Sequence, residues 1–226
     1  DLDQVYRKEL KYVISLEKVF RIRNRLSSFL DYDTYSNEEG YIVRSLYFDS
    51  INDKDLFDTL YGLNDKHKIR LRIYSVHDQQ VKLEWKRKTG SDSHKVTLII
   101  TRENAESMIN GDYEFLRSME NDQALSIYHI LKREAYSPRT IVEYKRVAYV
   151  HPISNIRICF DYQLKASLTP FNFFEENIGV LPILSVDQAV LEVKYDDYLP
   201  TLIKEVLSPM DELSQANSKY VQARML

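Results

Sequence analysis

One cysteine, five glycines and one tryptophan among 226 residues remove several explanations at once. Cys159, inside the apolar run Ile156 to Phe160, forms no intrachain disulfide and no multi-cysteine zinc set, so it reads as a small buried hydrophobe. Five glycines are too few for glycine-rich phosphate loops, and neither G-x-x-x-x-G-K-[ST] nor G-x-G-x-x-G occurs, which leaves side chains to hold any phosphate. H-E-x-x-H is also missing. His67, His77, His94, His129 and His151 are scattered at unlike positions and read as surface or loop residues. Nor is there an excess of positive charge: 31 Lys and Arg against 34 Asp and Glu give a formal charge of −3, which implies no global attraction to nucleic acid or anionic lipid. No apolar stretch approaches the ~18 residues of a membrane span, and the charged start, Asp1 to Lys11, is unlike a signal peptide. A cytoplasmic location is expected.

The chain does contain short alternating segments separated by helical ones. At 44% hydrophobic it can bury a full core, and a single domain over residues 1–226 is expected. Strands are read at Val5 to Ile14, Tyr41 to Asp49, Lys68 to Tyr74, Gln80 to Lys88, Lys95 to Ile100, Arg139 to Tyr149, Ile156 to Lys165 and Ala189 to Tyr195, about eight in all. Ser15 is a plausible cap for a helix in which Leu16, Val19, Phe20, Leu26, Phe29 and Leu30 recur near helical period. Further helices are read around Asp53 to Leu60, within residues 101–136 (clearest at Asp122 to Lys132), at Pro200 to Leu207 and at Leu213 to Val221, with Pro138 ending the 101–136 section. Asp31 to Gly40 and Thr89 to His94 read as loops. No internal repeat or low-complexity tract is present.

The strand segments carry charges two residues apart between apolar neighbours: Glu9 and Lys11, Arg70 and Arg72, Glu84, Lys86 and Lys88, Glu192 and Lys194. In a strand that spacing puts the charges on one face, roughly 6.5 to 7 Å apart, with Leu10 and Tyr12, Leu71 and Ile73, Leu83 and Trp85, or Leu191 and Val193 on the other. Arg70 and Arg72 can clasp successive phosphates, Lys86 and Lys88 repeat the device, and Lys11, Lys95, Arg146, Arg157 and Lys194 add donors if these faces turn inward. The bland alternative is an antiparallel sheet with one ordinary solvated face. Arg or Lys recurs in most strands, however, while Glu is confined to a few positions, and Glu9, Glu84 and Glu192, each two residues before a Lys, suggest Mg²⁺ or Mn²⁺ bridging carboxylate and phosphate oxygens. The alternative for each Glu is pairing with a neighbouring cation. A single-stranded nucleic-acid site would need aromatics on the charged face, whereas Tyr12, Tyr74 and Tyr195 are expected opposite it, so no nucleic-acid partner is expected.

Glu9-Leu10-Lys11-Tyr12, Ser45-Leu46-Tyr47-Phe48-Asp49, Ile69-Arg70-Leu71-Arg72-x-Tyr74, Leu83-Glu84-Trp85-Lys86-x-Lys88, Tyr144-x-Arg146, Leu191-Glu192-Val193-Lys194-Tyr195 and Ser218-Lys219-Tyr220 together resemble the ordered signature of the VTC domain. That is the polyphosphate polymerase domain of the vacuolar transporter chaperone family and its bacterial relatives, within the triphosphate tunnel metalloenzyme superfamily. The resemblance implies an α+β fold: a closed, eight-stranded antiparallel β-barrel, the tunnel, with flanking helices. By the same analogy Lys11, Arg70, Arg72, Lys86, Lys95, Arg146, Arg157 and Lys219 match phosphate-binding positions and Tyr144 lies beside them. Glu192 matches the metal-binding carboxylate for Mn²⁺ or Mg²⁺, and Lys219 heads the last helix. Lys88 and Lys194 are added from strand parity.

The activity the resemblance implies is transfer of the γ-phosphoryl group of ATP to a growing inorganic polyphosphate chain. The product end would be the nucleophile, consistent with the lack of a partnered Ser, Cys or His. The superfamily's hydrolases and cyclases open with Glu-x-Glu-x-Lys. Here Arg7 stands where the first Glu would be, which favours the polymerase branch. A metal-dependent tripolyphosphatase and a non-catalytic polyphosphate-binding module are the alternatives. A membrane-protein partner not encoded in this chain, and a place at the cytoplasmic face of a membrane complex, are also compatible with the resemblance.

Overall fold

The computed structural model describes residues 7–90, 92–208 and 218–226. In chain order the strands and α-helices are β1 (Lys8–Ser15), α1 (Leu16–Leu26), β2 (Asp31–Tyr32), β3 (Tyr41–Asp49), α2 (Lys54–Leu60), β4 (Asp65–Ile73), β5 (Gln80–Thr89), β6 (Asp92–Thr101), α3 (Arg102–Ile109), α4 (Asp122–Arg133), β7 (Ser137–His151), β8 (Ile156–Ser167), β9 (Leu181–Pro182), β10 (Gln188–Tyr195), α5 (Thr201–Leu207) and α6 (Lys219–Arg224). The architecture is α+β, an antiparallel sheet with flanking helices. Among the described residues, β1 and β6 are the first and last strands of the paired order.

The chain divides into two compact units. The first comprises the described parts of Asp1–Ile42, Tyr144–Leu164 and Pro182–Asn217, the second Val43–Glu143, Lys165–Leu181 and Ser218–Leu226.

In the first unit the strand order is β1-β10-β8-β7, with β2 added on β7. Leu191 and Val193 of β10, Ile158 and Phe160 of β8, and Val147 and Tyr149 of β7 point to one side. There they form a core with Val19, Ile22 and Leu26 of α1 and Ile203 and Val206 of α5. Ser15 caps α1 by accepting the Lys18 N–H. Gly40 takes a left-handed φ of 81° where a Cβ would stand 2.5 Å from the Arg146 carbonyl oxygen, so the approach of this loop to β7 requires glycine.

In the second unit β7, β3, β4, β5 and β6 pair in that order. Leu46, Phe48, Ile69, Leu71, Ile73, Leu83, Trp85 and Leu98 form its apolar side with Met108 of α3 and Ile127 and Leu131 of α4. Helix α2 is capped from a distance. The buried Asp49 carboxylate at the end of β3 accepts the N–H groups of Asp55 at 3.0 Å and Leu56 at 2.9 Å, two donors that the helix itself leaves without partners.

Several boundaries differ from the sequence expectations. Strand β4 begins at Asp65 rather than Lys68, because His67 occupies an apolar-side position by stacking on Trp85 and accepting its indole N–H at 3.0 Å. The expected loop Thr89 to His94 is mostly strand, since β5 runs to Thr89 and β6 starts at Asp92 with polar, exposed residues. Pro138 is the second residue of β7 rather than a terminator. Helix α1 ends at Leu26, and β2 falls within the expected loop. Residues 5–6 of the first expected strand and 213–217 of the last expected helix lie outside the described residues, and the described helix there is Lys219–Arg224. Among the described residues, no helix is long and apolar enough to cross a membrane.

Candidate functional site

Each unit presents one charged sheet face. In the second unit the register places Tyr47 opposite Arg70, Arg70 opposite Glu84, Ser45 opposite Arg72, and Lys86 opposite both Lys68 and Lys95. Period-two alternation puts all of these on the side away from the apolar core. Arg70 donates from Nε to Glu84 Oε2 at 2.6 Å and from Nη1 to the Tyr47 hydroxyl at 3.0 Å. Lys95 Nζ lies 2.8 Å from Glu84 Oε1, and Arg72 Nε lies 3.9 Å from Oε2 while donating to Ser45 Oγ at 3.3 Å. Glu84 is 3% exposed. Burial alone would raise its carboxyl, but Arg70, Arg72 and Lys95 outweigh burial and hold it well below the usual range. Burial, with Arg70 and Arg72 nearby, brings the Lys95 ammonium down to about 8 despite the opposing pull of Glu84.

Lys219 is buried at the first position of α6, directly after the cap Ser218, and its charge acts on Tyr47. The structure therefore brings Arg70, Arg72, Lys95 and Lys219 together around Tyr47 and Glu84. Lys86 flanks them. Lys88 sits further along β5, exposed and opposite Lys66 near the hairpin end. Tyr74, expected opposite the charges, is on the charged side: it follows Arg72 by two residues, and its hydroxyl accepts from Lys82 Nζ at 3.0 Å. That expectation erred on parity alone, since 70, 72 and 74 share a face.

In the first unit Lys11 stands opposite Glu192, Glu9 opposite Lys194, and Lys194 opposite Arg157. Lys11 Nζ is 3.2 Å from Glu9 Oε1, and Lys194 Nζ is 3.9 Å from Glu9 and 3.7 Å from Glu192. Arg146 is held by two hydrogen bonds to Asp161, at 2.7 and 2.9 Å, with Glu192 Oε2 at 3.5 Å and its guanidinium 5.3 Å from the Tyr144 ring centre. Burial opposes the Arg146 charge, but Asp161 and its other neighbours raise its pKa well above the usual value. Arg157 pairs with Asp33 and donates to the Tyr41 hydroxyl at 3.2 Å.

Sequence reading missed Asp161, Asp33, Tyr41, Ser45 and Tyr47 as members of these faces. Asp161 was accessible to the same alternation that found Arg157, because 157, 159 and 161 share a side. Asp33 had no such signal, coming just after the two-residue β2.

Among the described residues, no group of three or more His, Cys, Asp or Glu is arranged to hold a metal ion. Glu84, surrounded by three cations, is a poor ligand. Glu192, with Glu9 diagonal to it on the neighbouring strand, fits a divalent ion only where phosphate oxygens and water complete the shell.

Each unit thus sets Arg and Lys beside carboxylates on the sheet face opposite its core, with the cations in excess in the second unit. The chain belongs to the VTC domain family, whose model matches residues 6–226. A comparison with curated proteins returned no match. Among solved structures it is similar to the PH1819 protein of Pyrococcus horikoshii OT3 (14% identity, 97% of this chain and 98% of that one, TM-score 0.47). It is also similar to proteins titled "putative adenylate cyclase" from Bacillus halodurans (10%, 91% and 89%, 0.47) and Vibrio parahaemolyticus (11%, 91% and 86%, 0.45). Likeness at this level carries no argument about activity.

Proposed function

We propose that this VTC-family chain is a polyphosphate polymerase of the triphosphate tunnel superfamily that uses ATP. The observation that carries the reading is the charge imbalance of the second unit's sheet face, where Lys68, Arg70, Arg72, Lys82 and Lys86 share the ladder with one carboxylate, Glu84. A face with that excess of positive charge is complementary to a highly charged anion.

In this reading the terminal oxygen of a polyphosphate chain attacks the γ-phosphorus of ATP. The bond from that phosphorus to the β,γ-bridging oxygen breaks, and ADP leaves with the electron pair. Arg70, Arg72, Lys86, Lys95 and Lys219 bind and orient the phosphoryl oxygens and stabilise charge as it spreads over them. Lys11, Arg146 and Arg157, already paired with carboxylates of the first unit, would contact phosphate only together with a divalent cation. Glu192, with Glu9 as a second carboxylate, would hold Mg²⁺ or Mn²⁺, which supplies charge neutralisation between phosphate oxygens. A cytoplasmic supply of ATP suits this chemistry, with any membrane partner outside the chain.

The purified protein incubated with ATP and Mn²⁺ or Mg²⁺ should yield a polyphosphate ladder on a gel, and Arg72→Ala and Glu192→Ala should each abolish it without unfolding the protein. No ladder, with or without a short primer, refutes polymerase activity. Orthophosphate released from tripolyphosphate would instead identify a hydrolase. The engagement of Glu192 by Arg146 and Lys194 favours a second reading, a non-catalytic polyphosphate-binding module, in which binding survives Glu192→Ala but falls with Arg70→Ala and Arg72→Ala.

A further inference from the structure

The Tyr47 phenol lies in the cation cluster of the second unit with half of its hydrogen-bonding capacity unused. Its oxygen accepts from Arg70 Nη1 at 3.0 Å, and among the described residues its own O–H proton has no acceptor. The residue is 4% exposed, and the fold itself supplies that donor with no partner among the described residues.

The ring is rigidly seated. It stacks on Tyr220 with centroids 5.0 Å apart and planes at 18°, and the Arg70 guanidinium lies 5.8 Å from its centre. Tyr220 is fixed in turn by donating its hydroxyl to the fully buried Asp49 carboxylate at 2.5 Å, while Arg224 Nη1 donates to the same hydroxyl at 2.8 Å. Asp49 has no latitude of its own, because it also caps α2. A phenol held from three sides, beside Arg70, Arg72 and Lys219, presents a donor where an anion's oxygen would come to rest.

We propose that Tyr47 is a direct ligand-contacting residue of this site, donating its hydroxyl to a phosphoryl oxygen of a condensed phosphate that Arg70 and Arg72 also bind. The proposal rests on reading this face as the phosphate site. The cations act on Tyr47 in the same sense: burial raises the phenol, but Arg70, Arg72 and Lys219 more than offset it and leave it below its ordinary value. The O–H is thereby a stronger donor to an anion than an ordinary tyrosine.

Tyr47→Phe deletes the hydroxyl and keeps the stacked ring. Titration calorimetry with tripolyphosphate should show binding to the unaltered protein and roughly ten- to hundredfold weaker binding to Y47F, the loss expected for a hydrogen bond to a charged group. Protein labelled with ¹³Cζ-tyrosine separates contact from indirect effects. The Tyr47 resonance, assigned by its loss in Y47F, should move on adding tripolyphosphate. Equal affinity in Y47F, or an unmoved Tyr47 resonance with tripolyphosphate bound, overturns the role of Tyr47 and leaves the phosphate site standing. No binding to the unaltered protein overturns both.

Discussion

Replacing Glu84 by Gln should weaken the fold and strengthen the grip on phosphate, because this carboxylate is the counter-ion of the site. Its oxygens lie 2.6 Å from Arg70, 2.8 Å from Lys95 and 3.9 Å from Arg72, and its side chain is 3% exposed. Removing one partner of a buried ion pair costs about 3–5 kcal/mol. The Lys95 side chain is 47% exposed, so solvent screens that pair and the lower end, about 3 kcal/mol, applies. For a chain of this size each kcal/mol moves Tm by about 2–4 °C, so a fall of roughly 10 °C is expected. The carboxyl is held below its ordinary value in the fold, so its contribution is present above about pH 4.5, the usual glutamate value, and fades as the pH falls below it. The gap between wild type and E84Q should therefore be full at pH 7 and narrow below pH 4.5. Affinity should move the other way. A unit charge about 7 Å from a bound phosphoryl group, at an effective dielectric constant of ~20, repels it by about 2 kcal/mol. Removing that charge should tighten tripolyphosphate binding roughly thirtyfold, and a saturating ligand should restore much of the lost Tm. Thermal melts from pH 3 to 8 and calorimetry in metal-free buffer measure both effects. An unchanged Tm, or weaker metal-free binding, refutes the counter-ion role. A loss of affinity seen only with Mn²⁺ or Mg²⁺ would make Glu84 a metal ligand.

Three further outcomes follow from buried groups. Burial pushes the Asp55 carboxyl up to about 7 from 3.8, partly opposed by the hydroxyl that Tyr136 donates at 2.7 Å. The stability this proton confers is complete below pH 3.8 and is lost as the pH rises through 7, so D55N should gain about 4 kcal/mol on wild type between pH 4 and 8; parallel urea-stability profiles would contradict it. Gly40→Ala should destabilise by about 2 kcal/mol or more in urea unfolding, since its Cβ would meet the Arg146 carbonyl oxygen at 2.5 Å in a left-handed conformation. Asp161→Asn leaves the buried Arg146 without its bidentate partner and should cost about 3 kcal/mol or more by the same assay; stability unchanged within experimental error would show that Glu192 alone suffices.

The charged faces were legible because strand alternation is local. Arg70 and Arg72, or Glu192 and Lys194, need only their neighbours to declare a side, and the register agrees with each pair. What a residue faces across the ladder is a different quantity, set by pairing between distant segments. That Glu84 meets Arg70, or that Asp161 takes two hydrogen bonds from Arg146, depends on hairpin and crossover registers that period two does not contain. Asp49 and Tyr220 show the limit most clearly. They lie 171 residues apart, and nothing near either residue signals that one hydroxyl joins the last helix to a carboxylate already capping another. His67 hid the start of β4 for a related reason: an imidazole that accepts from Trp85 and stacks on it is apolar in behaviour and polar in a hydropathy pattern.

The two charged faces differ in balance, and that difference bears on the proposed chemistry. In the second unit the ladder from Lys66 to Arg72 against Lys82 to Lys88 carries one carboxylate, Glu84, and Lys95 and Lys219 add further positive charge. Cations in excess of carboxylates on one face attract an anion, so this face is suited to holding a highly charged chain and to spreading charge during phosphoryl transfer. In the first unit Lys11, Lys194, Arg146 and Arg157 are matched by Glu9, Glu192, Asp161 and Asp33. A face already neutral within itself gains little from an added anion. It can accept a phosphate together with a divalent cation, because the pair adds little net charge and the cation can take Glu192 oxygens from Arg146 and Lys194. Metal dependence should therefore follow substitutions at Glu9 and Glu192, and metal-independent affinity those at Arg70, Arg72 and Lys95. Tripolyphosphate titrations with and without Mn²⁺ across those variants test the assignment, and a metal requirement that vanished with Arg70→Ala and persisted in Glu192→Ala would reverse it.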